Sequence, residues 1–264
     1  MNLIAAQKTA VKAARAAGQL MRANWHRPKR VKVIEAHDIK LELDVRCQKL
    51  IERTLRAVFP QIPLLGEEGI LGDINAEYRW VVDPIDGTVN YFFGMPHAAV
   101  SIALQVQGPK SKVRRYETVL GVIYDPFTNE LWAAIRGGPT RLNGSVVRVS
   151  RRSRVNDAVI AMGFSKSKES LEKGLPHLNR LARRAKKIRI MGSAALELAY
   201  VASGRLDAYI ERTINLWDVA AGALMVECSG GEFWTRPGPG KLKYRMVADN
   251  GLLRRKLQLG SLLK

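Results

Sequence analysis

Between Trp80 and Thr88 an apolar run ends abruptly in acid: Trp80-Val81-Val82-Asp83-Pro84-Ile85-Asp86-Gly87-Thr88. Residues 78–82 read as a buried strand, and two carboxylates three residues apart project from its end. Pro84 fixes the backbone between them, and Gly87 permits close backbone approach. An isolated buried carboxylate is very costly, so acids placed here need partners. Lysine and arginine are scarce around them, which leaves divalent cations. Hard oxygen ligands select Mg²⁺, Mn²⁺ or Ca²⁺. No Cys/His spacing supports zinc.

More acids arrive in loop contexts. Gly66-Glu67-Glu68-Gly69 sets two glutamates between glycines, Asp38 and Asp44 bracket a short segment before a helix, and Trp217-Asp218 opens another. Ala220, Ala221 and Gly222 allow tight packing behind Asp218. Each has a plainer reading alone. Asp44 and Asp218 suit helix caps, and Glu67-Glu68 suits a solvated loop. Four such features in one chain argue for a shared site.

Periodicity predicts helices over 3–25, 44–59, 169–187, 192–201 and 216–229. Strand patterns cover 31–34, 78–82, 98–106, 158–162, 188–191 and 207–210. Segments 119–124 and 130–135 form a hairpin around Asp125-Pro126-Phe127-Thr128-Asn129. The alternation gives an α/β or mixed, layered α+β class. With 264 residues, 47% of them apolar, one compact domain suffices, with halves of about 1–145 and 146–264. No run approaches the ~18 apolar residues of a membrane span. Two cysteines, Cys47 and Cys228, build no disulfide framework, so a reducing compartment, the cytoplasm, is expected.

The net charge of +19 is unevenly spread. Residues 148–191 carry thirteen lysines and arginines against three acids, and 241–264 carry seven against one. Arg180, Arg183, Arg184 and Lys187 fall at the spacing of one helical face, with Leu178, Leu181, Ala185 and Ile188 facing inward. The stripe fits either a solvated face or a surface for RNA or an acidic partner. No aromatic residues interleave with it, so base stacking is not indicated.

The set Gly66-Glu67-Glu68, Asp83-Pro84-Ile85-Asp86-Gly87-Thr88 with Asn90, and Trp217-Asp218-Val219-Ala220-Ala221-Gly222 followed by Gly230-Gly231 resembles the inositol monophosphatase family, from about residue 5 onward. The two longer motifs are the specific ones. The resemblance implies an αβαβα sandwich, usually a homodimer, that hydrolyses phosphate monoesters of inositol or related polyols with Mg²⁺ and is inhibited by Li⁺; Mn²⁺ is an alternative ion. It implies that Glu67, Asp83 and the Ile85 carbonyl hold one Mg²⁺. Asp83, Asp86 and Asp218 would hold a second, and a weaker third would sit near Glu67. Thr88 and Asp44 resemble the pair that orients and deprotonates the attacking water. Gly87 and Thr88 would offer N–H groups to the phosphate. Gly192, Ser193, Ala194 and Glu211 match the contacts to the sugar hydroxyls, with Asp86 and Asp218 alongside. Glu211 could otherwise be a surface acid pairing with Arg205 or Arg212. Leu41 stands where the family usually has a threonine.

Histidinol phosphate and fructose 1,6-bisphosphate are rival substrates for the same chemistry. Some bacterial members of the family associate with RNA and the transcription machinery, which the basic segments would suit. The four histidines show no paired spacing, so a phosphohistidine route is unsupported, and His97 reads as structural.

Overall fold

The computed structural model describes residues 1–34, 39–108, 116–164 and 168–260. Asp38 lies outside them. In chain order the elements are α1 (Leu3–Ala23), β1 (Val31–Ile34), β2 (Ile39–Leu41), α2 (Glu42–Arg56), β3 (Leu64–Gly66), β4 (Gly69–Leu71), β5 (Tyr78–Asp86) and α3 (Thr88–Phe92). Then come β6 (Ala99–Gln107), β7 (Tyr116–Asp125), β8 (Glu130–Ile135), β9 (Arg141–Leu142) and β10 (Ser145–Val146). The remainder is β11 (Val159–Gly163), α4 (Lys168–Ala182), β12 (Lys187–Arg189), α5 (Ala194–Ala202), β13 (Ala208–Asn215), α6 (Leu216–Cys228), β14 (Glu232–Pro237) and β15 (Lys243–Asp249).

Strands β10-β9-β8-β7-β6-β5-β3-β4 form one sheet, β12-β11-β13-β15-β14 a second, and β1 pairs with β2. Three apolar clusters stack these pieces into layers. Ala10, Ala14, Ala17 and Met21 of α1 and Ile51 and Leu55 of α2 pack on one face of the large sheet, against Val82, Ile102 and Val122. On its other face Val81, Ala103 and Ile123 meet Leu196 and Leu198 of α5 and Ala221 and Leu224 of α6. The same two helices also pack against Tyr209, Met246 and Ala248 of the second sheet. The far face of that sheet is covered by Leu181 of α4 and by Leu253 and Leu257. The order helix, sheet, helix, sheet, helix is the expected αβαβα sandwich. No helix among the described residues is long and apolar enough to cross a membrane.

One expectation fails. The helix over 169–187 stops at Ala182, because the Leu181 carbonyl closes a turn by accepting from the N–H groups of Arg184 (3.0 Å) and Ala185 (2.8 Å). The chain then enters β12, which pairs parallel with β11. Arg180, Arg183, Arg184 and Lys187 therefore share no helical face. Arg180 and Arg184 are instead bonded to the C-terminal segment, to the Gln258 carbonyl (2.7 Å) and the Lys256 carbonyl (2.9 Å).

Close packing around the middle layer depends on absent side chains. A Cβ on Gly121 in β7 would stand 2.8 Å from the Ala221 carbonyl oxygen and 3.1 Å from its Cα. Both are α6 backbone and have no rotamer by which to yield. Gly121→Ala is therefore expected to cost about 1–3 kcal/mol, read as a shift of the urea midpoint at unchanged slope.

Candidate metal centre and active site

Five chain segments build the site. The first is the end of β5. On a regular strand, residues three apart face opposite sides. Here Asp83 pairs with Ser101 and Asp86 with Ala99, so three steps along β5 match two along β6. This bulge turns both carboxylates to one side. Pro84, which has no N–H to donate, sits within the interruption. The Asp83 carboxylate accepts from the Ile85 N–H at 3.0 Å, which holds the bulge closed.

Gly87 follows with φ +93°, and a Cβ there would lie 2.9 Å from the His97 carbonyl oxygen. The close approach read from the motif is real. It lets α3 start at once, with Thr88 first. The Thr88 hydroxyl oxygen lies 2.8 Å from the Ile85 carbonyl oxygen and 3.2 Å from Asp44 Oδ1. Asp44 is the third residue of α2 rather than its cap, and its other oxygen accepts from the Leu41 N–H at 2.7 Å.

The remaining contributions come from the second half of the chain. Asp218 is the third residue of α6 and accepts from Asn215 N–H at 3.0 Å. Asp86 accepts from the hydroxyl of Ser193 and from the N–H groups of Ala194 (3.2 Å) and Ala195 (2.8 Å), the first turn of α5. Ser193 and Ala194, expected at sugar hydroxyls, are thus engaged with Asp86. Gly192 (φ +79°) makes the turn that delivers them.

Asp83, Asp86 and Asp218 each offer an oxygen within 4.8 Å of the others. Among the described residues, no lysine or arginine forms an ion pair with any of the three. The cost shows in their protonation. Burial, and then the charges of Glu67, Asp86, Asp218 and Asp44, push the Asp83 carboxyl well above the ordinary carboxylate range. Burial pushes Asp86 to about 6, against the opposing donors from α5. Burial and the Asp86 charge push Asp218 to about 7. Burial likewise raises Asp44 to about 7. Two buried carboxylates, Asp83 and Asp86, and the half-buried Asp218 form an all-oxygen donor set that fits a hard divalent ion. Glu67 is not part of the triad and acts on Asp83 through its charge.

Glu211 is buried, which excludes the surface-acid reading; Arg205 pairs with Glu130 at 2.6 Å. Three contributors escaped the sequence reading. Gln48 accepts from Glu68 N–H at 2.9 Å and so shapes the 66–69 turn. Glu197 and Tyr209 are buried beside Glu211. Gln48 lies four residues after Asp44, one helical turn on, and Glu197 is an acid inside an apolar helix. Those were the available signals.

Against known proteins, residues 4–258 match the model of the inositol monophosphatase family. The chain belongs to that family. It is 42% identical over 224 residues to the protein named Nus factor SuhB of Xylella fastidiosa, covering 84% of this chain and 78% of that protein. It is 40% identical over 207 residues to inositol-1-monophosphatase of Rhizobium meliloti, covering 77% and 74%. The solved structure of extragenic suppressor protein suhB from Bartonella henselae superposes with a TM-score of 0.87 at 34% identity, covering 98% of both chains. Inositol monophosphatase from Anabaena superposes with 0.83 at 31%, covering 99% and 97%. The family is one of magnesium-dependent phosphomonoester hydrolases acting on small molecules, and the acidic triad suits that metal.

The raised carboxyls predict an unusual pH dependence for chelator-treated protein. Unfolded, each aspartate titrates near 3.8; folded, Asp86 and Asp218 titrate near 6 and 7. The native chain holds more protons across that window, so its stability falls as pH rises through it. The midpoint of thermal unfolding with chelator should be lower at about pH 8 than at about pH 5. Mg²⁺ should raise it mainly at the higher pH, and Asp83→Asn/Asp218→Asn should flatten the dependence.

Proposed function

We propose that this chain is a Mg²⁺-dependent phosphatase that releases phosphate from inositol monophosphate or a related polyol phosphate. The observation that carries the reading is the convergence of Asp83, Asp86 and Asp218 beside the Asp44–Thr88 contact. Asp83, Asp86 and Asp218 would hold one ion, and Glu67, Asp83 and the Ile85 carbonyl would hold another. Glu67 would also serve a third, weaker ion. Mg²⁺ held there would supply charge neutralisation for the phosphate oxygens and an activated water near neutral pH. Thr88 orients the attacking water through its hydroxyl, and Asp44 accepts the proton. Gly87 and Thr88 offer backbone N–H groups to the phosphate. Glu211 would receive the polyol hydroxyls beside the turn of Gly192, Ser193 and Ala194, whose Ser193 hydroxyl and Ala194 N–H also hold Asp86. Mn²⁺ substitutes and Li⁺ inhibits.

We further read the chain as one cytoplasmic domain in two halves, 1–145 and 146–264, with both cysteines free and the site where the halves meet. It acts as a homodimer, for which exposed Phe93, Met95 and Ile190 near the site supply apolar surface.

Asp83→Asn and Asp218→Asn should each lower Mg²⁺-dependent release of phosphate from inositol 1-phosphate by at least about 10³-fold while far-ultraviolet circular dichroism stays native. Persistent activity contradicts the reading. A panel with histidinol phosphate and fructose 1,6-bisphosphate decides among substrates.

A second reading, RNA contact, has its own observation. Lys256 Nζ bonds the Ser153 carbonyl at 2.6 Å and Arg184 bonds the Lys256 carbonyl at 2.9 Å. These contacts join the two basic segments, whose Arg151, Arg183, Lys186, Lys187, Arg255 and Lys256 are exposed. Lys186→Glu/Lys187→Glu/Arg255→Glu should abolish salt-sensitive retention on immobilised RNA and leave phosphate release unchanged.

A further inference from the structure

We propose that Glu197 is a positioning residue for the polyol side of the site, acting on Glu211 through Tyr209 and on the 191–193 turn through Met191. The proposal rests on the reading that Glu211 receives substrate hydroxyls.

Glu197 lies in the middle of α5 among alanines and leucines, with only 1% of its surface exposed. A leucine would fill such a position at lower cost, since a buried acid must be compensated. What compensates it reaches in two directions. One carboxylate oxygen accepts from the Met191 N–H at 3.0 Å. The Met191 carbonyl in turn accepts from Asn90 Nδ2 at 2.8 Å. The turn that presents Gly192 and Ser193 is therefore clamped at both backbone groups of one residue, Met191, by Glu197 and by Asn90.

In the other direction the Glu197 carboxyl faces the hydroxyl of Tyr209, which is itself buried. That hydroxyl lies 3.2 Å from Glu211 Oε2. A tyrosine has one proton to give and here has two carboxyl neighbours. The chain is fully bonded only when one carboxyl keeps its proton and donates it to the tyrosine oxygen. Burial pushes Glu197 and Glu211 each to about 8, in keeping with a retained proton. Gly163 leaves the space: a Cβ there would stand 1.4 Å from Glu211 Oε2. Among the described residues, buried Glu211 Oε1 has no hydrogen-bond partner, and the Arg212 and Thr213 N–H groups act on the same carboxylate. The network holds one glutamate oxygen and leaves the other for a ligand hydroxyl.

The test uses the full chain with Mg²⁺ and two esters, inositol 1-phosphate and 4-nitrophenyl phosphate, whose leaving group bears no hydroxyls for Glu211. Tyr209→Phe, the mildest change, should raise KM for inositol 1-phosphate about three- to tenfold with kcat unaltered, and leave nitrophenyl phosphate kinetics unaltered. Glu197→Leu should add to that rise a higher Mg²⁺ requirement, because the turn that carries the Asp86 donors slackens. Glu197→Gln keeps an acceptor for Met191 and a donor for Tyr209, and should restore native KM. Equal losses of kcat on both esters, or an unchanged KM ratio in Tyr209→Phe, would make Glu197 an ordinary core residue and overturn the proposal. A native chain that hydrolyses neither ester overturns the phosphatase reading and this proposal with it.

Discussion

The repulsion among Asp83, Asp86 and Asp218 is the constraint around which the molecule is arranged. Three acids have oxygens within 4.8 Å of one another; burial first, and then the neighbouring charges on Asp83 and Asp218, raise their protonation and oppose folding. The sandwich answers with helix N-termini. Asp44 and Asp218 occupy the third positions of α2 and α6, and Asp86 accepts from the first turn of α5. Each helix start brings unpaired N–H groups and the positive end of its dipole to a carboxylate. Three helices from two layers thus point at one spot, and this preparation lowers the charge a bound ion has left to neutralise.

The same contacts tie the first and second halves of the chain together at the site. Asp83 and Asp86 belong to the large sheet, while Asp218 and the donors to Asp86 belong to helices that the second sheet also packs against. Asn90 ties α3 to the Met191 carbonyl across the same seam. Small residues make the seam thin: the Gly121 backbone lies directly against Ala221, and Gly222 against Leu198. The site is a product of how α5 and α6 are sandwiched.

Much of this was legible beforehand. The apolar run into Asp83, the alanines and glycine after Asp218, and the glycine-flanked Glu67 all mark places where the backbone must bring acid close to something. The bulge was not legible, since a spacing of three on a strand argues for opposite faces. The basic stripe misled because lysine and arginine continue at helical spacing past Ala182 with no glycine or proline to mark the stop. Strands β14 and β15 were passed over, since their hairpin is rich in glycine and proline. Glu197 was passed over as well: an acid in an apolar helix shows that a partner exists, but not that Tyr209, on a different element, is the link to Glu211.

The central claim is that the acids of β5 and α6 share a divalent ion. Anomalous diffraction from crystals soaked in Mn²⁺ tests it most directly. The account predicts a strong peak bounded by the carboxylates of Asp83, Asp86 and Asp218. A map with peaks only elsewhere, and a triad filled by protons or by a lysine or arginine side chain, would contradict it.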